Sequence, residues 1–119
     1  MMKINGAEIT RFPAELEYQW YDLDSEQGSG RDQTGLMFRD RVAVKRKLTC
    51  KWSALTQSQL QNLLKQVGDM FFQLEYFDPY YGENRTITAY VGDRTAPVAF
   101  LQKDGTYIFE SLSMNFIER

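Results

Sequence analysis

Leu55-Thr56-Gln57-Ser58-Gln59-Leu60-Gln61-Asn62-Leu63-Leu64-Lys65-Gln66-Val67-Gly68 is the segment that decides how the rest of the chain is read. Leu60, Leu63, Leu64 and Val67 fall at i, i+3, i+4 and i+7, the spacing of one apolar stripe along a helix. Thr56 suits the N-cap, Gln59 completes a capping box three residues later, and Leu55 can staple against Leu60. Gly68 supplies the stop. The spacing predicts one α-helix over about 56–67, whose stripe packs on a sheet.

Outward from that helix the pattern has period two. Residues 38 to 52 form the longest strand candidate, with Val42, Val44, Leu48, Cys50 and Trp52 on one face. Arg41, Lys45, Lys47, Thr49 and Lys51 fall on the other. Arg46 interrupts the apolar face, so a bulge or a sheet rim is expected near it. Further upstream, Leu16, Tyr18 and Trp20 alternate with Glu15, Glu17 and Gln19, and Asn5-Gly6 marks a tight hairpin turn within Ile4 to Thr10. Between these strands, residues 24–35 carry three glycines and no periodicity, which predicts a long mobile loop.

Downstream, Phe72, Leu74 and Tyr76 alternate up to the turn Asp78-Pro79-Tyr80-Tyr81-Gly82, and Ile87, Ala89 and Val91 up to Gly92-Asp93. Val98 to Gln102 leads into the hairpin signal Asp104-Gly105, followed by a closing strand from Thr106 to Ile117. No linker or repeat divides the chain, so residues 1–119 read as one domain. The expected class is mainly β: an antiparallel β-sandwich or flattened barrel carrying one helix.

At 119 residues, 43% of them hydrophobic, the chain can bury a core of its own. The lone Cys50 excludes an internal disulfide framework and points to synthesis in a reducing compartment. No apolar run is long enough to span a membrane, and the N-terminal residues lack a signal core, so export is not expected.

Little in the sequence suggests catalysis. Histidine is absent, which removes the commonest general base and the commonest metal ligand. Cys50 lies on an apolar strand face and reads as a buried, inert thiol. Asp22, Asp24 and Glu26 resemble the start of a calcium loop, but Gln27 and Gln33 occupy the glycine and terminal-acid positions. Gly28-Ser29-Gly30 opens no helix and cradles no phosphate. No catalytic, cofactor-binding or metal-ligating residue is assigned.

Charge is the stronger signal. Net charge is only −2, yet residues 39–51 hold six cations against Asp40, and residues 8–32 hold seven acids against Arg11 and Arg31. Arg41, Lys45, Lys47 and Lys51 are candidate protein-contact residues, with Asp24, Glu26, Arg31 and Asp32 as their counterpart in a head-to-tail contact. The alternative is a nucleic-acid-binding module, its basic strand 39–51 tracking phosphates while Tyr80 and Tyr81 stack bases. The acidic total charge disfavours it.

The order of elements resembles that of small tail and baseplate proteins of long-tailed bacteriophages and prophages, over nearly the whole chain. Carrying the resemblance are the opening Met2-Lys3-Ile4-Asn5-Gly6, the basic strand ending Lys51-Trp52, the helix at Leu55 to Leu64, and Phe72-Gln73-Leu74-Glu75-Tyr76-Phe77-Asp78-Pro79. Tyr90-Val91-Gly92-Asp93-Arg94 and the ending Phe116-Ile117-Glu118-Arg119 complete it. Tail tube subunits and the N-terminal domain of distal tail proteins share this plan and commonly form hexameric rings. The resemblance implies a virion structural protein made in the bacterial cytoplasm. It would act without cofactor by contacting copies of itself and other tail proteins.

Overall fold

The quoted segment folds as helix α1, Gln57–Gln66, in a computed structural model that describes residues 2–24, 30–31, 37–38 and 41–119. The capping box forms as expected: the Gln59 N–H donates to Thr56 Oγ1 at 3.3 Å, and the Thr56 N–H donates to Gln59 Oε1 at 3.1 Å. Val67 caps the other end through Leu63 O, and the Gly68 N–H reaches Lys65 O at 3.2 Å. A Cβ at Gly68 would stand 3.3 Å from that carbonyl oxygen, which favours glycine there. Leu60, Leu63 and Val67 are buried, but Leu64 is exposed, so the stripe is narrower than its spacing predicts.

Twelve strands surround this helix among the described residues: β1 (Lys3–Ile4), β2 (Ala7–Glu8), β3 (Glu15–Asp24), β4 (Gly30–Arg31), β5 (Met37–Phe38), β6 (Arg41–Trp52), β7 (Leu55–Thr56), β8 (Phe72–Asp78), β9 (Glu83–Val91), β10 (Val98–Leu101), β11 (Tyr107–Phe109) and β12 (Leu112–Glu118). Seven form one antiparallel sheet in the order β2-β1-β8-β9-β12-β6-β3, three form a second, β10-β11-β7, and β4 pairs with β5. The fold is mainly β and sandwich-like, with one short helix. The order of the large sheet does not close on itself, so an open sheet replaces the barrel alternative. No helix among the described residues is long and apolar enough to cross a membrane.

The β1–β2 turn holds Asn5 at φ 52° and Gly6 at φ 83°, the left-handed pair that Asn-Gly predicts. Three expectations change. The closing strand is two strands, because the chain leaves the small sheet after β11 and enters the large one at Leu112. Arg46 causes no bulge, sitting in regular register opposite Trp20, and the irregularity falls instead between Leu23 and Asp24. The loop expected over 24–35 contains a paired segment, since Gly30–Arg31 pairs with Met37–Phe38; residues 25–29 and 32–36 lie outside the described residues.

One face of the large sheet is the inner face. Leu48, Cys50 and Trp52 of β6, Phe72, Leu74 and Tyr76 of β8, Ala89 of β9, and Leu112, Met114 and Phe116 of β12 are buried there. α1, β7 and the N-terminal Met2, Ile4 and Ile9 close over them. This cover does not reach the far end of β6. On that face burial falls from Trp52, at 0% exposure, to Val44 at 39%.

Candidate functional site

The uncovered end of the inner face is organised by a carboxylate. Asp78 closes β8 and is buried. Its Oδ1 accepts the Tyr80 N–H at 2.9 Å, the side-chain-to-backbone bond that makes aspartate a turn residue. The Gly82 N–H donates to Asp78 O at 2.8 Å, with Gly82 at φ 69° completing the turn. Asp78 Oδ2 accepts the Tyr76 hydroxyl at 2.9 Å and lies 2.6 Å from Arg46 Nε. That last approach is off the N–H axis and leaves Nε without an aligned hydrogen bond, so it is an ion pair.

Arg46 stands where the period-two pattern asks for an apolar residue, and its partners explain how the face tolerates it. A buried charge is stable only when paired. Asp78 provides the pair, and Glu118 Oε1 accepts the Arg46 backbone N–H at 2.9 Å. Burial works against the guanidinium charge, but the charge of Asp78 and its contact outweigh burial and raise the Arg46 pKa. Burial, then the bond to Asp78, pushes the Tyr76 phenol well above its ordinary range. Tyr18 rises for the same leading reason and donates its hydroxyl to Phe77 O at 2.7 Å. All three shifts hold these groups protonated at neutral pH, which suits a fixed scaffold rather than proton transfer.

The turn built by Asp78 presents Tyr80 and Tyr81 edge to face, with ring centroids 5.0 Å apart. Arg46 lies 5.4 Å and Arg85 4.0 Å from the Tyr81 ring. Across from them, Trp20 stacks on Tyr18 at 6.0 Å. Trp20, Asp22, Val44, Arg46, Tyr80 and Tyr81 line an open cleft of about 520 Å³. Tryptophan, tyrosine and arginine are the residues that anchor protein interfaces.

A second exposed surface lies at the other end. The β10–β11 hairpin turns at Gly105, φ 89°, and Asp104 Oδ1 accepts the Thr106 N–H at 3.0 Å and its hydroxyl at 2.7 Å. Those bonds hold the Asp104 carboxyl below its usual range. The Tyr107 N–H donates to Gln57 Oε1 at 3.0 Å, tying the hairpin to the start of α1. Every residue of β10 is exposed, on both faces of the strand. Val98, Phe100, Leu101 and Tyr107 are 52, 56, 58 and 44% exposed. An apolar strand exposed on both faces is uncommon on a folded domain.

A family model matches residues 1–119. The chain belongs to the DUF6711 family. It is a family of unknown function, and no curated protein matches the chain.

In this DUF6711 chain the lysines singled out by charge that the structure describes, Lys45, Lys47 and Lys51, do not gather at either surface. Lys45, Lys47 and Lys51 alternate with the buried Leu48 and Cys50, so they face away from the core. Lys45 Nζ donates to Arg119 O at 2.8 Å, and Lys51 sits directly opposite Glu15 of β3. The acidic and basic segments are therefore antiparallel neighbours in one sheet, where opposite charges support the strand pairing itself. Asp24 and Arg41 are backbone partners in that ladder, and Arg31 lies in β4. Glu26 and Asp32 lie outside the described residues. Tyr80 and Tyr81 belong to the inner face and the lysines to the outer one, so no single surface combines them.

The sequence reading missed the Arg46–Asp78 pair and the aromatic cleft. One signal was present: a cation on an otherwise apolar strand face implies a buried acid elsewhere. Among the described residues no group of His, Cys, Asp and Glu is placed to hold a metal ion.

Proposed function

We propose that this chain is a structural subunit that acts by assembling, of the tail or baseplate kind its element order resembles. One observation carries the reading: the β10–β11 hairpin offers Val98, Phe100, Leu101 and Tyr107 to solvent from a strand with no second partner among the described residues. Solvent-facing strands of stable monomers are usually guarded by charge, proline or a bulge. Here Pro97 and the register shift between Val98 and Phe100 limit β10 without covering its apolar side chains.

Assembly is expected to be driven more by apolar contact than by charge, because Lys45 Nζ already donates to Arg119 O and Lys51 stands across the ladder from the opposite charge of Glu15. Sedimentation velocity of the purified full chain, over rising concentration at low and high salt, tests this. Mass should grow with concentration and survive high salt. A monomer at every concentration and at both salt levels would remove the assembly reading.

A further inference from the structure

The geometry points to a head-to-tail contact in which the β10–β11 hairpin of one copy seats in the Trp20–Tyr80–Tyr81 cleft of the next copy. This deepens the assembly reading and rests on it.

Position comes first. The hairpin is attached through β11 to β7, with Ile108 opposite Thr56 and Phe109 opposite Leu55, just beyond Trp52. The cleft lies at Val44 and Arg46, near the other end of β6. Eight residues of strand separate Val44 from Trp52, roughly 27 Å at 3.4 Å per residue. That separation along one continuous strand keeps the two surfaces from meeting within one chain. Between copies they can.

Shape and chemistry come next. The hairpin is a projection exposed on both faces of β10, and the cleft is a recess with aromatic walls. Both surfaces carry charges of both signs: Asp22 and Arg46 in the cleft, with Arg85 over Tyr81 and paired to Glu83, and Lys103 and Asp104 at the hairpin tip. Docking thus meets no block of like charge, and the two surfaces can pair crosswise.

The area sets the strength. Two aromatic and two aliphatic side chains, each about half exposed, leave roughly 100 Å² apiece, so on the order of 400 Å² remains to cover on the hairpin and a similar area in the cleft. The sum for two copies is about 800 Å² before the polar rim is added, below the ~1,200 Å² of a standard stable interface. A single contact is therefore weak. A surface used head to tail does not close on two copies, so the contact repeats into a ring or a filament and gains from every neighbour.

Two variants separate this contact from its rivals. Phe100→Glu removes the projection, and Tyr80→Glu spoils the recess while keeping the backbone bond to Asp78. Both positions are exposed, and circular dichroism checks that each variant folds. Neither variant alone should assemble beyond a monomer at concentrations where the parent chain does. Mixed in equal amounts and concentrated well above the range in which the parent assembles, so that one weak contact is populated, they should form a heterodimer and nothing larger, because the mixture retains one intact projection and one intact recess.

A Tyr80→Glu variant that assembles like the parent overturns the contact and points to hairpin-to-hairpin pairing. Two monomeric variants that fail to complement each other also overturn it, while the assembly reading stands on the parent's behaviour. A parent that stays monomeric throughout overturns both.

Discussion

Replacing Asp78 with alanine tests the network that shapes the cleft. The carboxylate is 1% exposed and receives the Tyr76 hydroxyl, the Tyr80 N–H and Arg46 Nε. Removing one member of a buried ion pair costs about 3–5 kcal/mol. Here Glu118 Oε1 remains 3.9 Å from Arg46 Nη1, which holds the loss to the lower end, about 3–4 kcal/mol. The Arg46 side chain is only 13% exposed, so water restores little of that loss. Tyr76 is buried, and its orphaned hydroxyl adds about 1 kcal/mol, whereas the Tyr80 N–H lies at the surface and can turn to water.

The expected loss is about 4–5 kcal/mol, a large share of the ~5–15 kcal/mol that holds a domain folded. Urea unfolding followed by tryptophan fluorescence reads it out. With a slope near ~1.5 kcal/mol/M, the midpoint should fall by roughly 3 M. Asp78→Asn keeps one acceptor oxygen, enough for the Tyr80 N–H but not also for the Tyr76 hydroxyl, and removes the charge that pairs Arg46, so it should lose only a little less than alanine. Adding Arg46→Met to Asp78→Ala should recover part of the loss, since it withdraws the stranded guanidinium. A loss below about 1 kcal/mol for Asp78→Ala, with no recovery in the double variant, would mean the pair behaves as a solvated surface contact. The account of the cleft would then fail.

Two further outcomes follow from the same structure. Thr56→Ala removes the side-chain acceptor of the Gln59 N–H, leaving the backbone bond to Gln59 Oε1, and should cost about 1 kcal/mol by urea unfolding, while Ser at this position should cost little. Cys50 is fully buried and its thiol is pushed up to about 12 by burial. Iodoacetamide at pH 8 should leave it unmodified in the folded chain and label it rapidly in urea; labelling without denaturant would contradict the burial. A raised pKa on a thiol or phenol favours the protonated form in the folded state, so its stability contribution is intact below the unfolded value and declines above it. Stability should therefore fall as pH rises past about 9 through Cys50, and past about 10 through Tyr76 and Tyr18. Cys50→Ala should flatten the first part of that decline.

The local elements were legible because their causes are local. Thr56, Gln59 and Gly68 mark the helix ends, Asn5-Gly6 and Asp104-Gly105 mark hairpins, and period-two alternation marks β3, β6, β8 and β9. Turn and cap chemistry acts over a few residues, so the sequence alone determined where the chain bends and which class of fold it adopts.

What it could not supply was which residues, far apart in the chain, come to share a surface. Glu15 and Lys51 read as two separate charged segments until β3 and β6 paired. Arg46 read as an interruption until Asp78, thirty-two positions away, arrived beside it. Leu64 read as part of the stripe, yet it lies beyond the reach of the sheet beneath α1. How far the helix and the small sheet cover the inner face, and so which aromatics stay open, depends on the order of seven paired strands. That order is set by the packing of the whole core, and no window of sequence contains it.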